Sequence, residues 1–442
     1  NCSRRSICSL STKSGQLHWV RISLLRGLIK VNIWIVNHYS EEPVDGIGNR
    51  HFSLGHQLVK RGHRVVVIAS AYSHRTRQNE ISLGRARWKK DSYHGVDYVW
   101  IRTPPYQTNG LDRVLNMVSF SQTIYATYRS WEVYTPDIII GSSPHLFAAL
   151  AAERIAHRLG IPFCLEIRDL WPETFIELGG YSPQHPAIRV MERIERFLYR
   201  QADIIISLLP GAMAHFAEKG VTEDKRVVWI PNGVDLSLAP EPTPPPERRD
   251  EFVVMYAGAH GKANALDSVL DAISILAERA SNVKYRFRFV GEGPEKARLQ
   301  QRSIDEGLNN VSFEPFVPRC QVLKMMQEAD ALIATLRDSD LYRYGMSLNK
   351  IHDYMASARP IVFGARSLNN PITDSGAGIT VPPEDAAAMA DAVETLACLP
   401  REERWKMGLA GWKYVEKRHD YSVLAEQLED SLYQALHHER PQ

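Results

Sequence analysis

The sequence predicts an α/β protein made of two doubly wound units that face a cleft. Short apolar runs alternate along the chain with stretches of helical spacing, a pattern typical of parallel sheets covered by helices on both faces. A proline-rich stretch, residues 240–247, interrupts the alternation, which then resumes. The 442 residues suffice for two or three domains of ordinary size.

The composition is that of a globular protein. Apolar residues make up 44% of the chain, charged residues 24% and aromatic residues 9%, which excludes a disordered or fibrous chain. A net charge of +2 is too small for a protein that wraps nucleic acid, so nucleic acid is not an expected partner. The five cysteines are scattered without metal-binding spacing, and we expect a reducing, cytoplasmic compartment and no structural zinc.

The first thirty residues are expected to lie outside the fold. They contain six Lys or Arg and no acidic residue, and the first methionine of the chain is Met117. We interpret residues 1–30 as an extension that precedes a start near Val31, with a transit peptide as the alternative. The apolar stretch at 24–36 is interrupted by charges and is shorter than the roughly 20 residues of a membrane span, so no transmembrane helix is predicted.

The first unit is predicted over residues 31–236. Its first strand at 33–36 is followed by a glycine-bearing loop, a helix from Arg50 and a strand at 65–68, and further strands are expected at 138–140, 163–167 and 204–206. Between the second and third of these strands, a helical spacing of apolar residues predicts a core-facing helix, with the pattern Leu111, Val114, Leu115, Val118, Tyr125 and Tyr128. The alternative for this segment, which contains Arg113 and Arg129, is a surface that contacts a membrane.

The second unit is predicted over residues 252–418, after a proline-rich linker at 237–251. Its strands are expected at 252–256, 285–290, 311–313, 331–334 and 361–362, with helices at 265–277 and 295–306. A final segment, 419–442, contains apolar residues at helical spacing from Tyr421, so it is expected to form one long terminal helix and a tail.

Two turns between a strand and a helix contain paired glycines. Gly46 and Gly48 follow the first strand, and Gly291 and Gly293 flank Glu292 after a strand of the second unit. Glycine lets a backbone approach a ligand, and a helix N-terminus attracts an anion. An ordinary tight turn is the alternative in both places. The first turn lacks the third glycine of a dinucleotide fingerprint, which argues against a nicotinamide cofactor.

The strongest local signal lies in residues 344–362. Ser347 and Asn349 are helix-capping types and Lys350 opens a helix, so free N–H groups and an ammonium would form a diphosphate site. Asp353 follows one turn later and suits the hydroxyls of a ribose or sugar. The alternative is a capped helix with a salt-bridging lysine.

Charged residues also follow the predicted strand at 163–167. Arg168 and Asp169 lie at its carboxyl end, where an α/β sheet places its functional residues, although a structural ion-pair network is the alternative. Asp338 and Asp340 resemble the Asp-x-Asp pattern that holds a metal beside a nucleotide sugar. No third ligand lies near them in the sequence, so we predict no metal site.

From about Val31 to its end, the chain resembles the retaining nucleotide-sugar glycosyltransferases of family 4, which have the GT-B fold of two Rossmann-like domains. The resemblance is carried, in this order, by residues 32–39, 61–65, 168–173, 230–235, 290–293 and 347–360. More narrowly, the chain is similar to the branch that includes the N-acetyl-L-fucosamine transferases of bacterial surface polysaccharide assembly.

The resemblance implies that a sugar, N-acetylated amino or deoxyamino, is transferred with retention from a UDP-linked donor to a glycan or lipid-linked acceptor. It implies O-antigen lipopolysaccharide, capsule or exopolysaccharide synthesis, with no cofactor and no metal. We expect a cytoplasmic protein with peripheral contact at the inner membrane, and a terminal helix that returns toward the first domain. The alternatives are a nucleotide-sugar epimerase of the same architecture and a non-catalytic nucleotide-sugar-binding protein.

The family's functional positions fall on particular residues of this chain. The resemblance places Gly291, Glu292 and Gly293 near the donor nucleotide, with Gly46 and Gly48 facing the donor from the first domain. It places Ser347, Asn349 and Lys350 at the diphosphate.

Catalytic roles are implied for residues of both domains. Arg168 and Asp169 would act from the first domain, while Lys262 and Lys350 would stabilise the charge of the departing diphosphate. Asp353 takes the place of the second glutamate of the family's Glu-x7-Glu motif.

Four positions depart from the family pattern. Arg168 precedes Asp169 where many family members have a histidine. Gly345 replaces the first glutamate of that motif, so the usual contact to the donor sugar is missing. The Arg and Lys that usually follow the first strand of the second domain fall near Ala259 and Asn264, and we expect Lys262 to substitute for them.

Overall fold

The structure is a computed structural model, and it describes residues 29–43, 48–107, 110–143, 145–177, 180–222, 224–247, 250–279 and 282–437. Over these residues two α/β sheets follow one another along the chain. The expected fold class, two doubly wound Rossmann-like domains, is confirmed. The predictions made for residues 1–28 and for Gly46 lie outside the described residues.

The first domain is built on an eight-stranded sheet. Its strands are β1 Asn32–Val36, β2 Arg64–Ser70, β5 Trp88–Tyr93, β6 Val96–Ile101, β7 Ile138–Ser142, β8 Phe163–Ile167, β9 Ile204–Ser207 and β10 Val227–Trp229, and a separate hairpin comprises β3 Tyr72–Ser73 and β4 Gln78–Asn79. The order is β10-β9-β8-β7-β1-β2-β6-β5, and only the edge strand β5 runs antiparallel to its neighbour. The strand order reverses between β1 and β7, which is where such sheets bind ligands.

The second domain has a six-stranded, fully parallel sheet. Its strands are β11 Phe252–Ala257, β12 Tyr285–Val290, β13 Val311–Glu314, β14 Ala331–Thr335, β15 Ile361–Gly364 and β16 Gly378–Val381. The order β13-β12-β11-β14-β15-β16 reverses between β11 and β14. This is the strand order of a nucleotide-binding doubly wound sheet.

Helices cover both faces of each sheet. They are α1 Arg50–Lys60, α2 Leu111–Thr127, α3 Leu146–Leu159, α4 Glu173–Glu177, α5 Pro186–Gln201, α6 Ala212–Glu218, α7 Leu266–Glu278, α8 Lys296–Asp305, α9 Arg319–Met326, α10 Asn349–Ala356, α11 Pro371–Ser375, α12 Ala386–Cys398, α13 Arg401–Arg418 and α14 Tyr421–Leu436. Four clusters of buried apolar side chains fill the space between sheets and helices, two in each domain. None of the helices described is long and apolar enough to cross a membrane.

The terminal helix α14 packs on the first domain, as expected. Its apolar residues Leu424, Leu428 and Leu432 belong to a core cluster of that domain. Glu429, with a side chain 2% exposed, accepts hydrogen bonds of 2.7 Å from both Arg61 and His63 at the end of α1. A buried carboxylate, paired with a partly exposed arginine and a buried histidine, therefore fixes the terminal helix to the first domain.

One expectation about the first domain was wrong in part, although Tyr128 of the predicted face is buried in a core cluster as expected. Leu111, Val114 and Leu115 do not face the core, because they are 82%, 44% and 64% exposed. The core-facing side of α2 is formed instead by Met117 and Phe120 among others. The sequence contains apolar residues on two sides of this helix, and the pattern alone favoured the wrong side.

Candidate donor and active site

The candidate site lies where the carboxyl ends of the strands of both domains meet. In the second domain it is formed by the loops after β11 and β12 and by the start of α10. The residue Lys350 stands in the first turn of α10 and is half-buried. Its ammonium donates to the Asn264 side-chain oxygen and to the Tyr256 hydroxyl, the latter at 3.3 Å, and lies 5.1 Å from the centre of the Tyr256 ring.

The partners of this lysine are fixed by one carbonyl oxygen. The Ala259 carbonyl accepts hydrogen bonds of 2.7 Å from both the Tyr256 hydroxyl and the Asn264 amide nitrogen. Burial lowers the pKa of Lys350 to about 7, and the two side chains that accept its hydrogen bonds, Tyr256 and Asn264, are neutral. An ammonium held this way, without a carboxylate, is available to an anion.

The N-terminus of α10 is open on the same side. The capping prediction was wrong, because the residue that precedes the helix is Leu348, which makes no side-chain cap. Asn349 is the first residue of the helix and is exposed. The alternative of a salt-bridging lysine also fails, since no ion pair of Lys350 occurs among the described residues. Uncapped N–H groups and an ammonium thus lie together, the combination that attracts phosphate.

Ser347, the other predicted diphosphate residue, connects the two domains. Its hydroxyl accepts a hydrogen bond of 2.7 Å from the backbone N–H of Asn232, and its carbonyl accepts another of 2.7 Å from the Asn232 side chain. Both of these hydrogen bonds are accepted by Ser347, so its hydroxyl can still donate its own proton. Ser347 therefore couples the position of the first domain to the start of α10.

The glycines after β12 have a structural explanation. A Cβ atom on Gly291, whose φ is +140°, would lie 2.0 Å from the Gly258 carbonyl oxygen, and one on Gly293 would lie 2.3 Å from the His260 carbonyl oxygen. The loops after β11 and β12 pack backbone to backbone, so glycine is required there without any ligand. Glu292 between them is exposed and pairs with Lys296 at 2.7 Å, which lowers its pKa.

Asp353 lies on α10 but is engaged by another helix. The Arg319 guanidinium on α9 donates to its carboxylate, with one distance of 3.1 Å, and the Asp353 side chain is 15% exposed. Burial raises the pKa of Asp353, while the charge of Arg319 opposes that rise. If this carboxylate accepts a hydrogen bond from a ribose or sugar hydroxyl, it does so while it is also paired with Arg319.

Gly345 occupies a backbone conformation that favours glycine. Its φ is +102°, and a Cβ atom there would lie 2.5 Å from Pro210 of the first domain. The nearby Gly211 N–H donates to the Tyr344 carbonyl at 2.9 Å. The missing glutamate thus coincides with a close contact between the two domains.

The first domain contributes a buried polar network around Glu166, at the end of β8. Glu166 accepts hydrogen bonds from Arg50 at 2.8 Å, His51 at 2.6 Å and Ser142 at 2.5 Å. Although burial opposes ionisation, the charges of His51 and Arg50 hold the pKa of Glu166 well below its usual range. The network fixes the start of α1, which Asn49 caps.

Arg168 and Asp169 follow directly after this strand. The Arg168 N–H donates to the Ser143 hydroxyl at 2.9 Å, which fixes the backbone of the loop. Asp169 reaches solvent at the surface of the cleft, yet the surrounding walls withdraw its carboxylate from bulk water and raise its pKa, against the effect of Arg168. Burial raises the pKa of Tyr342 in the second domain, and the charge of Asp169 raises it further. The Asp169 carboxylate therefore faces the second domain across the cleft.

Two histidines of the first domain were missed by sequence reasoning. His38 and His145 are buried and their rings are joined by a hydrogen bond of 2.5 Å. The Nδ1 atom of His145 accepts from the Ala148 N–H, so its Nε2 atom is the donor to His38. Burial lowers both pKa values, that of His145 to about 3. The available signal was their place directly after strands β1 and β7.

The remaining candidates lie at the edge of the site. Lys262 is exposed in a short 3-10 segment, Lys262–Asn264, so Lys350 rather than Lys262 is the cation in contact with Asn264. Asp338 is half-exposed and pairs with Arg366 at 3.5 Å, while Asp340 opens the 3-10 segment Asp340–Tyr344. Gly48 packs against Phe52, whose ring a Cβ atom would approach to 2.6 Å.

Comparisons with known proteins agree with this architecture. Residues 45–233 match the model of the glycosyl transferase 4-like domain, and residues 251–398 match that of glycosyl transferases group 1. WcaI of Escherichia coli K12, named as a colanic acid biosynthesis glycosyl transferase, is 26% identical over 71% of this chain and 76% of its own. WbjE of Pseudomonas aeruginosa, named as a glycosyltransferase, is 22% identical over 65% of this chain and 72% of its own.

Solved structures share the whole fold. Sucrose-phosphate synthase from Thermosynechococcus elongatus superposes with a TM-score of 0.70 at 15% identity, over 92% of this chain and 99% of its own. HepE of Anabaena, solved in complex with UDP and glucose, has a TM-score of 0.61 at 14% identity, over 92% of this chain and 100% of its own. The class that the fold and the site define is therefore that of the GT-B enzymes. With its two glycosyl transferase domains in this order, the chain belongs to the glycosyltransferases of GT-B fold.

Proposed function

We propose that this glycosyltransferase moves a sugar from a UDP-linked donor to a glycan or lipid-linked acceptor, with retention at the anomeric carbon, in bacterial surface polysaccharide synthesis. The observation that carries the proposal is the half-buried Lys350 ammonium beside the uncapped N-terminus of α10. A departing nucleoside diphosphate develops negative charge, and these groups are placed to stabilise it. The relative named for colanic acid biosynthesis supports the polysaccharide, and the solved complexes with UDP support the nucleotide.

The donor sugar proposed is an N-acetylated amino or deoxyamino sugar, as in the N-acetyl-L-fucosamine transferase branch. Gly345 supports this choice, because it leaves no carboxylate where the family usually binds a hydroxyl of the donor sugar, and Pro210 occupies the adjacent space. A sugar with a deoxy position or an acetamido group needs fewer such contacts. The transfer is proposed to need no metal and no cofactor, since Lys350 can provide the charge that a metal would otherwise supply.

A turnover assay with a defined acceptor tests the proposal. The full chain is incubated with a panel of UDP-sugars, with and without acceptor, and UDP release and the anomeric configuration of the product are measured. We expect UDP release only with acceptor, and a product with the configuration of the donor. Conversion of the donor without acceptor would instead indicate an epimerase, and binding without any conversion would indicate a binding protein.

Peripheral membrane contact is proposed for the exposed face of α2. Leu111, Val114 and Leu115 lie on one side of this helix, next to Arg113, and are the exposed apolar residues at its start. An apolar face beside a basic residue suits an anionic bilayer surface and a lipid-linked acceptor.

Flotation with anionic vesicles tests this contact. We expect the parent to bind the vesicles and Leu115→Glu to abolish the binding. Ile304→Glu, at a 71% exposed position of α8, is the matched control, and equal loss in both variants would contradict this role.

A further inference from the structure

Two carboxylates and a histidine converge inside the first domain, on three different helices. Glu173 of α4, Glu195 of α5 and His215 of α6 each contribute one potential metal-ligating atom, and these atoms all lie within 4.8 Å of one another. The side chains of Glu195 and His215 are each 1% exposed, whereas that of Glu173 is 20% exposed. The cluster is therefore largely buried, with Glu173 on its outer side.

The separations between these atoms match those of a zinc ligand set. The Nε2 atom of His215 lies 3.1 Å from the Oε1 atom of Glu195 and 3.8 Å from the Oε2 atom of Glu173. Two ligand atoms at about 2.0–2.1 Å from a tetrahedral zinc ion are about 3.4 Å apart, between the two measured values. Calcium takes six to eight oxygen ligands and magnesium keeps mostly water and carboxylates, whereas an imidazole among the donors suits zinc.

Two carboxylate oxygens of the cluster lack a hydrogen-bond partner. They are the Oε2 atoms of Glu173 and Glu195, both buried and without a hydrogen bond in the described part of the chain. The Oε1 atom of Glu195 accepts from the Tyr199 hydroxyl at 2.7 Å and contacts His215, so the carboxylate is held in place. A buried acceptor without a partner is costly, and a cation beside it would recover that cost.

The carboxylates of this region outnumber the ammonium that neutralises them. Lys219, which follows α6, places its Nζ atom 2.5 Å from Glu173, 3.6 Å from Glu192 and 3.9 Å from Glu195. Three carboxylates thus share one ammonium, although Glu192 also pairs with Arg196 at 3.6 Å. Burial raises the pKa of Glu195, and the charge of Glu173 raises it further. A divalent cation would relieve this repulsion more fully than the lysine does.

We propose that Glu173, Glu195 and His215 bind a zinc ion that joins α4, α5 and α6. Three protein ligands leave the fourth position of a tetrahedral zinc to water, on the outer side of the cluster. Lys219 contacts the Oε1 atom of Glu173, so the Oε2 atom, which faces His215, is available to the ion. Zinc takes the place of the proton on the Nε2 atom of His215, so binding releases a proton.

The zinc site lies beside a contact between the two domains. The ring centre of His215 is 5.5 Å from that of Tyr344, whose carbonyl accepts from the N–H of Gly211, the residue before α6. Among the described residues no hydrogen bond or ion pair joins the cluster to Lys350, so the ion is structural and separate from the proposed transfer. Cysteine spacing could not reveal this cluster, because its ligands include no cysteine and lie on separate helices.

Zinc titration of the full chain, after chelation and removal of the chelator, tests the site. Calorimetry should show one Zn²⁺ bound with release of a proton, and the melting temperature should rise by several degrees. Co²⁺ in place of zinc should give the visible absorption of a four-coordinate ion. Glu195→Gln keeps the shape of the side chain and removes its charge, so zinc affinity should fall by about tenfold or more. Glu218→Gln, at an exposed position of α6, is the matched control and should bind like the parent.

Lys219→Met separates a zinc site from a plain ion-pair network. Since the ammonium and the zinc compete for Glu173, this variant should bind zinc more tightly than the parent. Zinc binding by the variant with none by the parent would show that the lysine is the cation of the cluster, and would overturn the proposal. Equal zinc binding by the parent and Glu195→Gln would also overturn it. If Glu195→Gln does not fold, Glu173→Gln on the outer side gives the same comparison.

Discussion

The strongest prediction concerns the charge of Lys350. In the free protein, burial lowers the pKa of its ammonium to about 7, so near neutral pH it is protonated in about half of the molecules. A phosphate charge at a distance of about 4 Å would stabilise the ammonium by about 4 kcal/mol at an effective dielectric constant of 20. This corresponds to about three pKa units and returns the lysine to its ordinary range. Binding of UDP should therefore take up a proton.

The sign of the pH dependence follows from this shift. Below pH 7 the ammonium is already formed, so the affinity for UDP should not depend on this group. Above pH 7 each bound UDP must recruit a proton, so Kd should rise by up to about tenfold per pH unit until the pKa of the bound state is reached. Titration calorimetry in buffers of different ionisation enthalpy measures the proton uptake directly, at about half a proton near pH 7 and nearly one at pH 8.

Lys350→Met removes the charge and keeps most of the side-chain volume. The loss of a charge-assisted contact to the leaving group should lower turnover by about 10²-fold and eliminate the proton uptake. Lys413→Met, at an exposed position of α13, is the matched control and should retain both. A variant at position 350 that melts like the parent and keeps the parent's turnover and pH slope would refute the diphosphate role.

Three further predictions follow from other contacts. Asp353→Asn should weaken UDP binding by about 1–3 kcal/mol, as measured by calorimetry, and lower the melting temperature because Arg319 loses its charged partner. Glu429→Gln should destabilise the protein by about 1–3 kcal/mol at neutral pH, since it removes the charged acceptor of Arg61 and His63. Against the effect of burial, these two partners lower the pKa of Glu429, so the difference between the variant and the parent in denaturant unfolding is present above the ordinary glutamate pKa and should vanish as the pH falls through the lowered pKa. Turnover should survive EDTA; a loss restored by Mg²⁺ or Mn²⁺ would give Asp338 and Asp340 a role.

The fold could be predicted from the sequence because its signals are local. The strands Ile138–Ser142 and Ile204–Ser207 are buried on both faces, so each begins with three isoleucines in a row and differs from the amphipathic helices nearby. Each predicted strand therefore lies within an observed one, whereas β5, β6, β10 and β16 were not predicted. Where two faces of a helix are both partly apolar, as in α2, spacing cannot tell which face meets the sheet, and the prediction for Leu111, Val114 and Leu115 was wrong.

The candidate site could be predicted only in part. Lys350 was proposed from the sequence because it lies in the first turn of a helix that follows a loop, which is a local pattern. The partners of Asp353 and Ser347 could not be identified, because Arg319 and Asn232 are 34 and 115 residues away in the chain and belong to other elements. Glu166 lies at the end of a predicted strand, but its partners Arg50 and His51 are 116 and 115 residues away in the chain.

The contact between Lys350 and Asn264 shows why the position of a cation cannot be predicted from neighbouring residues in the sequence alone. The resemblance placed the family's lysine after the first strand of the second domain near Asn264, and from the sequence the nearest cation, Lys262, was the expected substitute. In the structure Lys262 is exposed, while the ammonium of Lys350 lies against the Asn264 side chain. The electrostatic stabilisation of an anion depends on its distance from the charge and not on the element that carries the charge. Asn264→Lys should therefore place two ammonium groups together and weaken the site through repulsion, whereas combining it with Lys350→Met should restore UDP binding if the charge at this point is what matters.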